Sequence, residues 1–227
     1  MGNTITVDSP LIGRHQLRNV ALAIAAVVEL REQGFSRITA EAIERGIRAT
    51  HWPGRFQVVR GAEPRGTGAG LEPLAPKGFA SSGKNARSES PEPKAQRPKL
   101  KPEFVFDVAH NPAGAWALRS TLSAAYEDRP ITLVFGVLRD KAMAEMAEIL
   151  FPIAERVIVT QANNPRSASP AQIRESARRV SVEITEAEDV AGAVDLACES
   201  AGPGGLAVVT GSIYLVGEAM RELGLRI

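Results

Sequence analysis

The chain has 227 residues, 44% of them hydrophobic, and a formal net charge of +1. That is room for one large domain, or one domain and a piece of another, around a real core. Near-neutral charge and only 5% aromatic residues give no electrostatic or stacking case for a nucleic-acid or membrane partner.

Residues 14–33 read as a helix. Leu17, Ala21, Ile24 and Val28 recur at spacings of three and four, and Gly34 stands as the C-cap. A second helix runs from an N-cap at Thr39 to about Ala49, where His51-Trp52-Pro53-Gly54 breaks the pattern. Residues 1–53 are expected to be the C-terminal remnant of a domain that begins upstream. Residues 55–60 read as a short strand opening a second domain, 54–227. The stretch 62–102 is dense in Gly, Pro, Ser, Lys and Arg, so it is expected to be a disordered insert. Loop-closure entropy grows slowly with length, and a fold can carry such an insert.

Beyond it, strands and helices alternate. Strands are expected at 104–106, 131–135, 156–160, 182–184 and 206–209. Helices are expected at 112–126, 141–151, from Ser169-Pro170 onward, 188–200 and 214–223. Near-continuous apolar strands separated by helices predict an α/β fold, a doubly wound and mostly parallel sheet covered on both faces. Ligands bind such sheets at the C-terminal strand ends, here the loops 107–112, 136–141, 161–170 and 210–214.

Cys198, the single cysteine, excludes an internal disulfide and reads as a small buried hydrophobe. Residues 1–9 hold no apolar signal core, and the longest apolar run, 20–30, is too short to span a bilayer. The cytoplasm is the expected compartment.

Each strand-end motif admits two readings. In Asp107-Val108-Ala109-His110-Asn111-Pro112, Asp107 either accepts two ribose hydroxyls or caps the turn, and Asn111 is a plain N-cap in the second case. In Thr210-Gly211-Ser212-Ile213-Tyr214, Ser212 either donates to a ligand carboxylate or caps the last helix. Asp140 in Gly136-Val137-Leu138-Arg139-Asp140-Lys141 is an expected N-cap, beside two cations that suit an anion or plain solvent. Arg55, in Pro53-Gly54-Arg55-Phe56, either forks onto a phosphate or is a surface arginine. His15 and Asn19 share one helix face, either a purine contact or polar surface. Gly78-Phe79-Ala80-Ser81-Ser82-Gly83-Lys84-Asn85 nearly matches a phosphate-binding loop. However, Asn85 replaces the hydroxyl and no strand precedes it. No His/Asp/Glu cluster has metal-ligand spacing.

Taken in order, Gly13-Arg14-His15-Gln16-Leu17-Arg18-Asn19, the Pro-Gly-Arg-Phe turn, Asp107 to Pro112, Gly136 to Lys141, and Thr210 to Glu218 resemble the folylpolyglutamate synthase/dihydrofolate synthase family of the Mur ligase superfamily. The resemblance covers its C-terminal half. It implies an ATP-dependent ligase that activates a folate or pteroate carboxylate as an acyl phosphate, which the amine of L-glutamate then attacks. It implies ATP contacts from His15, Asn19, Arg55 and Asp107, glutamate contacts from His110 and Ser212, and a monomeric full-length enzyme. It places the phosphate-binding loop and the Mg2+ ligands in the other half. Val108 stands where that family usually has glycine, and is expected to crowd close approach to the backbone there. A peptidoglycan-type Mur ligase and a non-catalytic nucleotide- or glutamate-binding module are the alternatives.

Overall fold

The computed structural model describes residues 4–61 and 102–225. All but Pro102 of the stretch expected to be disordered lies outside the described residues, as does the near-match at 78–85. Two helices come first, α1 (Arg14–Glu32) and α2 (Ala40–Arg48). Then follow β1 (Gln57–Arg60), β2 (Glu103–Asp107), α3 (Pro112–Ala125), β3 (Ile131–Phe135), α4 (Met143–Leu150), β4 (Arg156–Val159), α5 (Pro170–Ser176), β5 (Glu183–Glu186), α6 (Val190–Ala201), β6 (Leu206–Thr210) and α7 (Ile213–Glu222).

The six strands form one sheet in the order β1-β2-β6-β3-β4-β5. Only β1 is antiparallel, pairing with β2; the other pairs are parallel. Period-two alternation sorts the strand side chains between two cores. Val105, Leu133, Phe135, Val157 and Val208 pack with α3, α4 and α5 through Leu118, Leu122, Met146, Leu150 and Ile173. Phe104, Phe106, Val134, Ile158 and Val209 pack with α6 and α7 through Val194, Leu215 and Met220. The expected doubly wound, mostly parallel α/β architecture is therefore present. Parallel strands buried on both faces must be apolar throughout, and for that reason they stood out in the sequence.

Several local expectations are corrected. The first strand begins at Gln57, because Arg55 and Phe56 belong to a turn in which Phe56 has φ +48°. Asp140 does not cap α4: that helix starts at Met143 without a side-chain cap, and Asp140 pairs instead with Lys141 and Arg166. The apolar stripe of α1 is not buried among the described residues. Leu17, Leu22 and Val28 are exposed, and Gln16 is its buried residue. Val108 does not crowd the strand end either. Its side chain is buried against the turn at Gly54 and joins the core of the α6–α7 face. No described helix is long and apolar enough to cross a membrane.

The connection between β1 and β2 leaves at Arg60 and returns at Glu103, which pair with each other. This is the N-terminal end of the parallel strands. The long insert is thus attached opposite the Asp107, Gly136 and Ser212 loops.

Candidate functional site

Three adjacent strands bring the site together. Thr210, at the end of β6, lies in register with Asp107 of β2 and Phe135 of β3. The segments that follow, Val108–His110, Gly136–Lys141 and Gly211–Ser212, therefore leave side by side. From β2 and β3 the chain turns to one face of the sheet, and from β6 to the other, which opens a crevice at the strand ends. The backbones meet closely here. A Cβ on Gly211 (φ +109°) would lie 2.5 Å from the Gly136 carbonyl oxygen, and one on Gly136 would lie 2.7 Å from that of Thr160. Only glycine fits at either point.

Asp107 is buried, and both carboxylate oxygens accept backbone N–H groups. Oδ1 accepts from Ala109 at 2.9 Å, and Oδ2 from Phe56 at 3.0 Å. Burial pushes its pKa above the ordinary aspartate value. The Ala109 and Phe56 bonds, and then the charges of Arg55 and His15, pull it partly back. Arg55 stands in the turn whose Phe56 N–H bonds this carboxylate, and His15 at the start of α1; both come from outside the parallel sheet. Each bonded oxygen keeps a further lone pair for a hydroxyl donor.

The Arg55 turn is built by its sequence. Pro53 and Gly54 occupy the central positions, Gly54 has φ +72°, and the Arg55 N–H donates to the Trp52 carbonyl at 3.3 Å. This is the pattern of a type II turn. A Cβ at Gly54 would meet Val108 at 2.9 Å and Val216 at 3.2 Å. The Val108 N–H donates to the Gly54 carbonyl at 2.8 Å. The turn is thus bolted to the end of β2 from both sides.

His15 folds back over Gly13 at the start of α1, where a Gly13 Cβ would also meet Thr121 of α3 at 3.1 Å. Asn19 is exposed and donates to Gln16 at 3.1 Å. Gln16 lies within the quoted motif, yet its burial was not foreseen: a glutamine between His15 and Leu17 carries no periodic signal. His110 is exposed, with Nδ1 3.0 Å from the Val108 carbonyl. A carbonyl only accepts, so Nδ1 carries the proton and Nε2 is uncommitted. Asn111 caps α3 by accepting from Gly114 at 2.8 Å. Ser212 is buried and caps α7, accepting from Tyr214 at 3.1 Å. The capping readings of Asn111 and Ser212 are realised, and the hydroxyl proton of Ser212 is left to donate elsewhere.

Three buried hydroxyls have no hydrogen-bond partner among the described residues: Thr160, Ser167 and Thr210. All lie at the C-terminal end of the sheet. Glu218 of α7, also within a quoted motif, accepts the Asn163 N–H through both oxygens at 2.9 and 3.1 Å. It thereby tethers the loop after β4, whose Arg166 carbonyl accepts the Arg139 N–H at 2.9 Å. Cys198 is half-buried, and burial with nearby Asp195 and Glu199 pushes its thiol up to about 11. No group of three or more metal-ligating side chains occurs among the described residues.

Comparison with known proteins matches residues 95–213 to the model of the Mur ligase glutamate ligase domain. That is more than half of the chain. The chain belongs to this family. It is 27% identical, over 95% of its length, to the dihydrofolate synthase/folylpolyglutamate synthase of Mycobacterium tuberculosis. It is 33% identical, over 86% of its length, to the UDP-N-acetylmuramoyl-L-alanyl-D-glutamate–2,6-diaminopimelate ligase of Corynebacterium efficiens. It covers 39% of each of these relatives. Among solved structures, Mycobacterium tuberculosis folylpolyglutamate synthase complexed with ADP and AMPPCP superposes with a TM-score of 0.71 at 26% identity, over 97% of this chain and 42% of that one. The chain spans between 20% and 41% of the length of the curated relatives it matches.

Proposed function

We propose that the chain forms the glutamate-accepting part of an ATP-dependent amide ligase that joins L-glutamate to dihydropteroate or folates, in folate synthesis and polyglutamylation in the cytoplasm. The observation that carries this reading is the buried Asp107, bonded through the Phe56 N–H to the turn that carries Arg55, beside His110 and Ser212 on the neighbouring loops. In this reading Asp107 accepts the ribose hydroxyls of ATP through its remaining lone pairs. Arg55 reaches the phosphates, and His15 and Asn19 flank the adenine. His110 and Ser212 hold glutamate and orient its amine. ATP supplies the phosphoryl group that activates the acid. The residues around the strand ends fit a nucleotide: an arginine in no ion pair among the described residues, a buried carboxylate with spare acceptor capacity, and a helix N-terminus at Asn111. In this reading the Mg2+ ligands and the phosphate-binding loop are supplied by an ATP-binding half.

Residues 1–53 fit the edge of such a half. The helix α1 leaves Leu17, Leu22 and Val28 exposed, and Phe35 and Trp52 are exposed nearby in sequence. Closing the two halves over the site would exclude water from an activated acid.

The test combines the purified chain with the ATP-binding half of a folate ligase, MgATP, L-glutamate and dihydropteroate. Amide formation is expected from the combination and not from the chain alone. Turnover by the chain alone would overturn the need for a second half. The similarity to the Corynebacterium diaminopimelate ligase favours a second reading, a ligase of peptidoglycan precursors. Turnover with a nucleotide-linked muramyl substrate but not with pteroate would decide for it.

A further inference from the structure

We propose that Trp52 is a positioning residue for Arg55, holding the guanidinium flat so that its N–H edge is presented to a phosphate. The proposal rests on the reading of Arg55 as a phosphate ligand. The Arg55 guanidinium carbon lies over the Trp52 ring, 5.4 Å from its centroid. The stack follows from the turn. A type II turn closed at Pro53-Gly54 brings its first and last residues together, and these are Trp52 and Arg55. Next in the chain, Phe56 is held at φ +48° by its N–H bond to Asp107. The backbone on both sides of Arg55 is therefore fixed, while its side chain joins no ion pair among the described residues.

An arginine outside any ion pair loses rotamer freedom when an anion captures it. A cation–π stack removes part of that freedom beforehand. It uses the face of the guanidinium and leaves the donor fork on its edge free. It also accounts for Trp52 itself, a large apolar side chain that is 55% exposed.

The other arginine–tryptophan stack among the described residues gives the contrast. Arg119 lies 5.4 Å over Trp116 on α3, but its Nη1 already donates to the Ile149 carbonyl at 2.7 Å. That guanidinium is committed to fastening α3 to α4. The one on Trp52 joins no ion pair among the described residues.

The experiment titrates the full chain with inorganic tripolyphosphate at up to millimolar concentration, following amide and arginine side-chain NMR signals. It compares the wild type with Trp52→Phe, Trp52→Ala, Arg55→Ala and the Trp52→Ala/Arg55→Ala double variant. Trp52 is mostly solvated, so these changes leave the core alone, and thermal unfolding checks this. The expected result is a roughly two- to fivefold weaker affinity for Trp52→Ala, the size of an exposed cation–π contact. Trp52→Phe is expected to recover most of that loss, and the double variant to bind no worse than Arg55→Ala. Wild-type affinity in Trp52→Ala, or a loss that persists without Arg55, would overturn the role of Trp52 while leaving Arg55 as a ligand. No effect of Arg55→Ala, or no binding by the wild type, would overturn both.

Discussion

Strand β2 carries a buried carboxylate at each end, and the two are treated oppositely. At its start, Glu103 accepts from the Tyr126 hydroxyl, from Arg60 at 3.0 Å and from Arg129 at 3.4 Å. Arg129 also donates to the carbonyls of Gly204 and Gly205, at 2.8 and 3.0 Å, and lies over the Tyr126 ring. At its end, on the same sheet face, Asp107 meets only backbone N–H groups among the described residues, those of Phe56 and Ala109. Burial raises both pKa values. For Glu103 the Tyr126 and Arg60 hydrogen bonds and the arginine charges outweigh it, and the net shift is downward. For Asp107 burial wins. A carboxylate whose partners are all supplied by the fold stabilises the fold. One left short of opposite charge, near an arginine outside any ion pair and hydroxyls without partners among the described residues, has the surroundings of a ligand-facing group.

The strongest way to break this comparison is Glu103→Gln. It keeps the shape and removes the charge that Arg60 and Arg129 share. Because Arg60 is largely solvated, the expected loss is about 2 kcal/mol rather than the upper end for charged hydrogen bonds. The sign with pH follows from the lowered pKa of Glu103. Its stabilisation is complete above the ordinary glutamate range and fades as pH falls through and below it. Urea unfolding near neutral pH should separate variant and wild type, and in acid the two should converge. Tripolyphosphate affinity should not change, since this end of the sheet lies opposite the crevice. A binding loss as large as the stability loss would show that the two ends do not work separately.

Asp107→Asn is the counterpart at the other end, with a smaller stability effect of about 1–2 kcal/mol. One of the two bonded N–H groups, of Phe56 or Ala109, must then face an amide N–H. The raised pKa of Asp107 sets the opposite sign: its ionised form is disfavoured in the folded state, so its contribution is lost as pH rises rather than as it falls. The sharper readout is ligand choice. If Asp107 takes ribose hydroxyls, ADP affinity should fall more than tripolyphosphate affinity. If both fall equally in parallel titrations, Asp107 acts only by holding the turn that carries Arg55.

The parts legible in the sequence share a physical cause. Strands buried on both faces had to be apolar, and Thr39 and Asn111 each stood before a helix as caps do. What stayed hidden depended on contacts between distant segments. Nothing local marks Phe56 for a left-handed backbone; a carboxylate 51 residues away imposes it. Asp140 looked like a cap because Arg166, 26 residues on, could not be seen beside it. Val108 looked like an obstruction because its packing partners are Gly54 and the core of the other sheet face. The α1 stripe had the spacing of a buried face, and periodicity does not say what covers it.

Ser212 tests the comparison most finely, because there one hydroxyl serves both purposes. As a cap it accepts the Tyr214 N–H, and as a ligand contact it would donate its own proton. Alanine would remove both functions together. Glycine separates them, since at an N-cap it costs only a few tenths of a kcal/mol relative to serine. Ser212→Gly should therefore unfold at nearly the wild-type urea concentration. In the ligase completed with its ATP-binding half, its KM for L-glutamate should rise on the order of tenfold, the effect of one lost charge-assisted hydrogen bond. An unchanged KM would leave Ser212 as a helix cap alone. On the proposed reading, glutamate binding would then rest on His110, whose Nδ1 bond to the Val108 carbonyl leaves Nε2 free for it.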